Sequence, residues 1–328
     1  MKISIAMATY NGERFLQEQL DSFVAQSRLP DELVVSDDCS TDGTLEILER
    51  FAKEAPFEVI INKNKNNLGY AGNFNRALEL TTGDLVFLSD QDDVWFDNKI
   101  EVMCNHASNT DKMVLLNDAV ITDTELKDTG VTQLGQIKSG NLPESLYVLG
   151  CSVLIKRQFF KVCLPIPKGY SSHDGWIVKL AEGLNNKLII DEPFQYYRRH
   201  NSNETSYVVN KKKQLKKVHI LVDKLNKIYH RRKGTSKFKS KELLNQQNTL
   251  LKKRLTSIDN QKIDFLASGI VENFIDVLNE KTNNLTVRES LRSKPILQRL
   301  TSGYSLYKDG FYDKNSGIMS YLRDILLR

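Results

Sequence analysis

The chain has 328 residues, of which 40% are hydrophobic and 27% are charged, as in an ordinary soluble globular protein. Its length allows one large domain and a smaller one. No apolar stretch approaches the ~20 residues that span a bilayer. The four cysteines are scattered without C-x-x-C spacing, which favours free thiols over a zinc site or a disulfide framework. We therefore expect a cytoplasmic protein with free thiols.

The net charge of +5 is distributed unevenly along the chain. The segment Lys211–Arg254 contains 16 Lys or Arg and two acidic residues, a net charge of +14, so the remainder of the chain carries −9. Because the basic character is local, it indicates a particular face or partner for that segment.

The first 95 residues alternate between strand-like and helix-like patterns. The predicted strands cover residues 2–10, 32–36 and 58–61, with a fourth beginning at Leu85, and the predicted helices cover 13–26, 44–54 and 73–80. Such alternation predicts a parallel α/β sheet with right-handed crossovers. In sheets of this kind, ligands bind beyond the carboxyl ends of the strands.

Polar residues follow three of these strand ends: Thr9-Tyr10-Asn11, Asp37-Asp38 and Asp90-Gln91-Asp92. From an extended segment, Asp90 and Asp92 point to the same side. Carboxylates that close repel each other unless a cation or a donor intervenes. Mg²⁺ or Mn²⁺, held by one or two carboxylates and by substrate phosphates, fits this arrangement. A solvated acidic loop is the alternative for a D-x-D pattern taken alone.

Two common phosphate-binding loops are absent from the sequence. No G-x-G-x-x-G follows the first strand, and no G-x-x-x-x-G-K-[ST] occurs. Dinucleotide-binding and P-loop proteins are therefore excluded in their usual forms, and a bound phosphate would need a metal to neutralise its charge.

Six motifs in order resemble those of the family 2 glycosyltransferases of the GT-A fold, over roughly Lys2 to Asn203. They are Ala8-Thr9-Tyr10-Asn11-Gly12, Val35–Asp42, Asn67-Leu68-Gly69 with Asn75-Arg76, Gly83-Asp84 leading to Asp90-Gln91-Asp92-Asp93, Ser172–Trp176, and Tyr197–Asn201. Within that family, S-D-Q-D-D-V-W, H-D-x-W and Y-R-x-H-x-x-N resemble the rhamnosyltransferase-type enzymes of bacterial polysaccharide synthesis.

The resemblance implies an α/β, Rossmann-like domain with a mostly parallel sheet flanked by helices. It places a GT-A catalytic domain at residues 1–205, with a nucleotide-sugar-binding half at about 1–95 and an acceptor-binding half at about 96–205. A basic, mainly α-helical region at residues 206–328 follows as a C-terminal extension.

The resemblance also implies a set of residues that bind the nucleotide sugar. Thr9 and Tyr10 would contact the base, and Asp38 would accept a hydrogen bond from N3–H of uracil or thymine, which cytosine lacks. A turn or helix-capping role is the alternative for Asp38, and a solvated helix position is the alternative for Arg76. The arginine fork of Arg198 or Arg199 suits phosphate oxygens. The whole set is Thr9, Tyr10, Asn11, Asp38, Asn75, Arg76, Asp90, Gln91, Arg198 and Arg199.

For the metal, Mn²⁺ or Mg²⁺, the resemblance implies Asp92 as a direct ligand. Asp90 would share the metal or hold the ribose, and His200 would be a third ligand or contact the diphosphate. Lone histidines are often structural instead.

Asp174 is the implied general base, which takes the proton of the attacking hydroxyl. A surface turn or a pair with a lysine is the alternative. His173 and Trp176 would line the acceptor site, although Trp176 also fits a core position.

These roles predict an inverting, metal-dependent transfer of a sugar, with rhamnose as a candidate, from a dTDP- or UDP-linked donor. The acceptor would be a saccharide, expected to be lipid-linked, in O-antigen, capsule or exopolysaccharide synthesis. A nucleotidyltransferase is one alternative, but Ala8–Gly12 lacks the cation usual after its first strand. A non-catalytic sugar-nucleotide-binding or scaffold protein is the other, and intact Asp92 and Asp174 disfavour it.

Helical patterns continue through the C-terminal third, at Lys211–Arg232, Lys241–Arg254, Lys262–Asn279, Arg288–Leu300 and Ser316–Leu327. The basic helices fit an anionic membrane surface, at the inner face of the plasma membrane, where each nearby Lys or Arg contributes about 1 kcal/mol. A solvated helical annex is the alternative, and an oligomerisation surface stays open. Nucleic acid is not expected, since no nucleic-acid-binding fold accompanies the charge.

Overall fold

The computed structural model describes residues 1–200, 208–210, 212–216, 241–258, 263–313 and 317–326. The chain forms two compact units. One comprises Met1–Lys217 and Ser257–Val271, and the other comprises Val218–Thr256 and Glu272–Arg328. The domain boundary expected at residue 205 stays a prediction.

The first unit contains nine described strands and seven described α-helices. The strands are β1 (Ile3–Thr9), β2 (Glu32–Asp37), β3 (Glu58–Lys63), β4 (Leu85–Ser89), β5 (Val94–Trp95), β6 (Val114–Thr122), β7 (Asp128–Thr132), β8 (Val153–Lys156) and β9 (Lys187–Arg198). The helices are α1 (Glu13–Val24), α2 (Thr44–Glu54), α3 (Gly69–Leu80), α4 (Lys99–Ser108), α5 (Gln133–Ser139), α6 (Phe160–Cys163) and α7 (His173–Gly183).

The described strands form one sheet in the order β3-β2-β1-β4-β8-β6-β9-β5, with β7 paired to β6. The pairs β1–β2, β2–β3 and β1–β4 are parallel, as the alternating sequence pattern predicts. Beyond β4 the sheet is mixed, because β8 runs antiparallel to both β4 and β6 whereas β9 runs parallel to β6. The apolar faces of β1, β2 and β4 pack against α1, α2 and α4 in a fully buried core.

Strand β9 extends to Arg198, seven residues beyond Lys187–Asp191, whose apolar residues are typical of a strand. Pro193 interrupts the apolar pattern and has no N–H to donate. The pairing with β6 shifts in register between Asn117 and Asp118, next to Pro193. A shift of this kind accommodates a proline without ending the strand. The strand therefore continues to Arg198, beside the acids that follow β4.

The described helices of the second unit are α8 (Lys241–Thr256), α9 (Ile270–Ser293), α10 (Ile296–Lys308) and α11 (Gly317–Leu326), although the first two residues of α9 belong to the first unit. The predicted helix Arg288–Leu300 is wrong, because Pro295 separates α9 from α10 and proline is not accommodated inside a helix. The prediction over Lys262–Asn279 is also wrong at its start, since the helix begins at Ile270, directly after Gly269.

The predicted helix Lys211–Arg232 does not begin as expected. Residues 212–216 are not helical, because the carbonyl of Lys213 and the N–H of Leu215 bind the side-chain amide of Gln136. The rest of that prediction lies outside the described residues. No helix in the described part of the chain combines the length and the apolarity needed to cross a lipid bilayer.

Glu32 joins the first strands of the sheet. Its carboxylate accepts hydrogen bonds from the Ser4 hydroxyl at 2.6 Å and from the N–H and hydroxyl of Thr82, both at 2.6 Å, and Lys2 Nζ lies 2.8 Å away. Burial by itself would raise the pKa of Glu32. The hydrogen bonds from Lys2, Ser4 and Thr82 outweigh it and lower the pKa to about 2.

The substitution Glu32→Gln should lower the free energy of unfolding by about 2–3 kcal/mol near neutral pH. Because the folded-state pKa is depressed, the contribution of Glu32 is present above its usual pKa of 4.5 and is lost as the pH falls towards 2. Denaturant titrations across this pH range should therefore show a flatter acid limb for the variant. Glu58→Gln, an exposed change at the start of β3, is the control.

Candidate active site

Three parallel strands bring their polar ends to one edge of the sheet. Thr9 at the end of β1 pairs in register with Asp37 of β2, and Met7 of β1 pairs with Ser89 of β4. The segments that begin at Tyr10, Asp38 and Asp90 consequently leave the sheet side by side. The prediction that these strand ends meet is confirmed.

The acids after β4 fall into two adjacent groups. The carboxylate of Asp92 lies 2.7 Å from Nε2 of His200. Ligand atoms of Asp90, Asp93 and Cys151 lie within 4.8 Å of one another. The structure thus brings His200 to Asp92 across 108 positions of sequence, and it places Asp90 next to Asp93 and Cys151.

Negative charge is concentrated at this edge. Burial, together with the charges of Asp92, Asp93 and Asp174, raises the pKa of Asp90 well above its usual range. Burial and the charge of Asp92 raise the pKa of Asp93 to about 7. The carboxylates therefore need a compensating cation or fixed donors around them.

Fixed donors from β9 hold Asp93. The N–H of Arg198 donates to Oδ1 of Asp93 at 3.1 Å, and the amide of Gln195 donates to Oδ2 at 3.3 Å and to Sγ of Cys151 at 2.9 Å. Behind them, the fully buried Lys99 donates to the Cys151 carbonyl at 3.0 Å and to the Gln195 amide oxygen. Burial lowers the pKa of Lys99 to about 7. The sequence does not reveal the role of Asp93. In the structure, Asp93 is an anchor between β9 and the acidic loop, Asp90–Asp93.

Arg198 is only 2% exposed and donates to groups of the protein itself. Its guanidinium donates to the Asp92 carbonyl at 2.9 Å, to the Thr124 carbonyl at 2.7 Å and to the Glu18 carboxylate at 2.8 Å. It is therefore placed to fix the backbone of the acidic loop. Arg199 is half-buried, and its guanidinium donates to the Tyr197 hydroxyl at 3.0 Å. Phosphate binding by either arginine stays a prediction.

The ring of Phe15 supports both His200 and Arg198. The His200 ring centroid lies 4.7 Å from that of Phe15, and the Arg198 guanidinium carbon also lies 4.7 Å from the Phe15 centroid. In the sequence, Phe15 is simply one apolar position of an amphipathic helix. Its role in the site becomes visible only when the end of β9 meets α1.

At the end of β1, the amide of Gln91 holds the backbone of Tyr10. The Tyr10 N–H donates to Oε1 of Gln91 at 2.9 Å, and Nε2 of Gln91 donates to the Tyr10 carbonyl at 3.0 Å. A Cβ on Gly12 would lie 2.4 Å from Gln91 Oε1, so this close approach requires glycine. The Tyr10 side chain itself is 51% exposed and free of the core. Gln91 thus couples the predicted base-binding loop to the acidic loop.

Thr9 and Asn11 make contacts that shape the same loops. The buried Thr9 hydroxyl donates to Asp37 at 2.9 Å. Asn11, at a positive φ of 48°, accepts a hydrogen bond from the N–H of Thr41 at 2.8 Å.

Asp38 is buried and fixes the start of α3. Its carboxylate accepts hydrogen bonds from the N–H groups of Leu68 at 2.7 Å and Gly69 at 2.9 Å, and from the Asn64 amide at 3.0 Å. These bonds explain why α3 begins at Gly69, four residues before the predicted start. They correspond to the capping role considered for Asp38, and its contact with a base stays a prediction.

Asn75 and Arg76 lie in the second turn of α3. Asn75 accepts from the N–H of Ile166 at 2.7 Å and donates to Glu79 at 2.7 Å. Arg76 lies 3.4 Å from the Asn62 amide oxygen and 3.9 Å from Glu79. Both residues connect α3 to its surroundings, and their nucleotide contacts stay predictions.

Helix α7 carries Asp174 to the acidic edge. Ser172 caps the helix by accepting the N–H of Gly175, so Asp174 occupies the first turn. The Asp174 charge contributes to the raised pKa of Asp90 and of Tyr70. The structure thus brings together Asp174 and the acids after β4, which are more than 80 residues apart in the sequence.

His173 and Trp176 are both inside the domain. His173 is fully buried, with its ring stacked 3.7 Å from that of Phe74, and neither ring nitrogen has a hydrogen-bond partner among the described residues. Burial lowers the pKa of His173 to about 4. The indole N–H of Trp176 donates to the Cys163 carbonyl at 2.7 Å. The structure therefore places Trp176 in the core, which was the alternative to its acceptor role. Neither ring presents a face to solvent for an acceptor.

Tyr70 is a site residue that the sequence analysis missed. Its ring lies 4.7 Å from His173 and 5.6 Å from Phe74. Burial and the charges of Asp90 and Asp174 raise the pKa of its hydroxyl well above the usual value. The hydroxyl therefore stays protonated beside these two carboxylates and is able to donate a hydrogen bond there. Its position directly after Asn67-Leu68-Gly69 is the one signal in the sequence.

The chain is similar to known glycosyltransferases in sequence and in structure. Residues 4–156 match the family model described as glycosyl transferase family 2. The dTDP-rhamnosyl transferase RfbG of Shigella flexneri is 29% identical over 230 residues, which cover 66% of this chain and 80% of RfbG.

Solved structures share the fold. S. aureus TarS in complex with UDP-GlcNAc aligns with a TM-score of 0.52 and 20% identity, over 87% of this chain and 91% of that chain. The mannosyltransferase PcManGT of Pyrobaculum calidifontis, in complex with GDP-Man and Mn²⁺, aligns with a TM-score of 0.50 and 16% identity, over 99% of this chain and 85% of that chain. The α/β architecture is that of the GT-A glycosyltransferases, as the motifs predict.

The substitution Arg198→Lys should lower the free energy of unfolding by about 2–4 kcal/mol, because a lysine cannot reach all three acceptors of the buried guanidinium. Thermal or denaturant unfolding measures the change. The adjacent Arg199→Lys is the matched control, with an expected loss below about 1 kcal/mol. Equal effects of the two substitutions would contradict the anchoring role of Arg198.

Proposed function

We propose that this chain, whose residues 4–156 match the family model described as glycosyl transferase family 2, transfers a sugar from a nucleoside diphosphate to a hydroxyl group of a saccharide, with inversion at the anomeric carbon. The observation that carries the proposal is the convergence of Tyr10, the acids Asp90 and Asp92, and Asp174 at one edge of the sheet. An exposed aromatic surface, clustered carboxylates and a separate carboxylate are what this reaction requires.

The donor nucleotide would lie over the ends of β1 and β2. The exposed ring of Tyr10 offers a face for the base, and its backbone is held by Gln91. Asp38 lies next to this loop, and its N–H donates to the Thr9 carbonyl. A carboxylate there suits a base that carries N3–H, which favours a uridine or thymidine nucleotide.

A divalent cation, Mn²⁺ or Mg²⁺, fits the residues present. Asp92, Asp90 and His200 would hold it, since carboxylate oxygens and an imidazole nitrogen are suitable ligands for such an ion. Cys151 is a poor ligand for a hard cation, and burial raises the pKa of its thiol well above the usual range. When bound, the ion would neutralise the negative charge of the leaving diphosphate. The mannosyltransferase PcManGT, which was solved with GDP-Man and Mn²⁺, supports the same classes of donor and ion.

Asp174 would act as the general base. It takes the proton of the acceptor hydroxyl while the hydroxyl oxygen bonds to the anomeric carbon. The bond from that carbon to the diphosphate oxygen breaks, and the diphosphate leaves with the electron pair. Attack from the side opposite the diphosphate inverts the anomeric configuration in one step. The protonated hydroxyl of Tyr70, close to Asp90 and Asp174, would donate a hydrogen bond to the bound sugar or acceptor.

The name of one relative, the dTDP-rhamnosyl transferase RfbG, favours rhamnose as the donor sugar. The acceptor would be a lipid-linked saccharide in the assembly of a bacterial surface polysaccharide. A non-catalytic sugar-nucleotide-binding protein is the competing function, and turnover measurements separate the two.

Calorimetry with a donor panel tests the binding half of this proposal. We expect one donor among dTDP-rhamnose, UDP-glucose, UDP-galactose, the UDP-N-acetylhexosamines and GDP-mannose to bind at least about tenfold more tightly with Mn²⁺ than without it. Asp92→Asn should abolish this metal dependence and weaken the binding of Mn²⁺ itself. The exposed Asp97→Asn, five residues further along, should leave both unchanged. Metal-dependent binding that survives in Asp92→Asn would refute the ligand role.

Asp174→Asn should retain donor binding and lower kcat by about 10²–10⁴-fold, as expected for loss of a general base. Product formation is measured with the donor found by calorimetry and with saccharide acceptors. A variant that turns over like the wild type would remove Asp174 from the mechanism. If the wild type binds a donor but transfers it to no acceptor, the non-catalytic function gains support.

A further inference from the structure

Helix α10 exposes a stripe of apolar side chains. Its five members are between 38% and 74% exposed, with Leu297 the most exposed. They are Ile296, Leu297, Leu300, Tyr304 and Tyr307. At about 100° of rotation per residue, the five lie within an arc of about 100° of the helix surface. A surface helix of a soluble protein normally turns such a stripe towards a core, so this stripe needs a partner.

Helix α11 carries a second stripe. Ile318, Leu322 and Leu326 are 55%, 41% and 56% exposed, and their spacing of four residues places them within an arc of about 80°. The fully buried Asp324, on the opposite side of α11, and the buried Ile325, about 20° before the stripe, face the interior of this unit. The helix is therefore amphipathic, with its apolar residues divided between the interior and the solvent.

The two stripes lie on the same side of the α10–α11 pair. A Cβ on Gly303 would lie 2.6 Å from Ile325, and the rings of Tyr307 and Tyr321 are 5.2 Å apart. As the chain advances along α10 these contacts move backwards along α11, so the two helices are antiparallel. On each helix, the centre of the exposed stripe is rotated away from the side that contacts the other helix. When each helix is viewed from its N-terminus to its C-terminus, the direction of this rotation is the same. In an antiparallel pair, equal rotations of this kind lead to one common face.

The exposed charged side chains within these two helices have one sign. Helix α10 contains no acidic residue, and the one acid of α11 is Asp324, which is buried and paired with Arg288 and Arg292. Lys308 lies about 20° beyond the stripe of α10, and Arg323 lies about 60° beyond the stripe of α11. Within these two helices, no carboxylate is exposed. The face is therefore apolar with a basic border.

We propose that this face docks on an anionic phospholipid bilayer. The eight apolar side chains would enter the boundary between head groups and acyl chains, where tyrosine is favoured, and Lys308 and Arg323 would meet the lipid phosphates. A second copy of the chain fits less well, because it would bring the same basic side chains together. The segment Lys211–Arg254, with its charge of +14, adds to the attraction of the chain for an anionic surface. This proposal is independent of the transfer reaction.

Co-sedimentation of the full chain with lipid vesicles tests the proposal. The vesicles contain either equal parts of phosphatidylcholine and phosphatidylglycerol or phosphatidylcholine alone. We expect binding to the mixed vesicles and much weaker binding to the neutral ones. The double substitution Leu297→Glu with Tyr304→Glu should lower partitioning to the mixed vesicles by at least about tenfold, since two exposed apolar groups no longer insert.

The matched control is Gln298→Glu with Ser305→Glu. It adds the same charge at exposed positions of the same helix, about 100° further round. Because all four side chains are on the surface, we expect unchanged thermal unfolding of both variants. That result excludes misfolding. A small loss in the control and a large one in the stripe variant support docking through the face.

Equal losses in both variants would show attraction by charge alone and would overturn the role of the face. Wild-type partitioning of the stripe variant would overturn it too. A wild-type dimer that the stripe substitutions convert to monomers, with vesicle binding unchanged, would assign the face to a second copy instead.

Discussion

The acidic loop after β4 depends on hydrogen bonds from β9. Burial and the neighbouring charge of Asp92 oppose the ionisation of Asp90 and Asp93. Such a loop would move apart unless its backbone were fixed. Arg198 fixes it through the carbonyl of Asp92 and the carboxylate of Asp93, and Gln195 adds a second contact from the same strand. A strand from the second half of the domain thus determines the geometry of a loop in the first half.

The same principle links the other parts of the site. Gln91 ties the acidic loop to Tyr10, so the aromatic surface and the carboxylates keep a fixed relation. Helix α7 brings Asp174 to within electrostatic reach of Asp90. Tyr70, at the start of α3, packs against His173 of α7 and senses the charges of both carboxylates. In the proposed reaction, donor binding and proton removal are carried out by different elements that meet at one edge of the sheet. A change in either half should therefore affect one function more than the other.

The second unit differs from the first in its interior and in its outer face. Its interior is closed by a buried carboxylate between two arginines, Asp324 with Arg288 and Arg292, and by close packing at Gly303. Its outer face retains large apolar side chains without exposed acids on α10 and α11. Exposed apolar surface of this kind marks an interaction site. In the two proposals, catalysis and attachment to lipid are separate tasks of the two units.

The sequence by itself determined the parallel order of the first strands, because apolar runs, turn residues and helical periodicity are local signals. It also determined that β1, β2 and β4 end in polar residues at one edge, and the motifs indicated a resemblance to the family 2 glycosyltransferases. Pro295 was a local signal for the end of α9 as well, although the prediction passed over it. Only the tertiary structure decided what each polar side chain contacts. Asp38 caps α3, Arg198 anchors the acidic loop, His173 is buried, and Phe15 supports His200. These contacts join residues that are far apart in the chain, and a side chain such as aspartate or arginine carries no local signal that tells a ligand contact from a structural one.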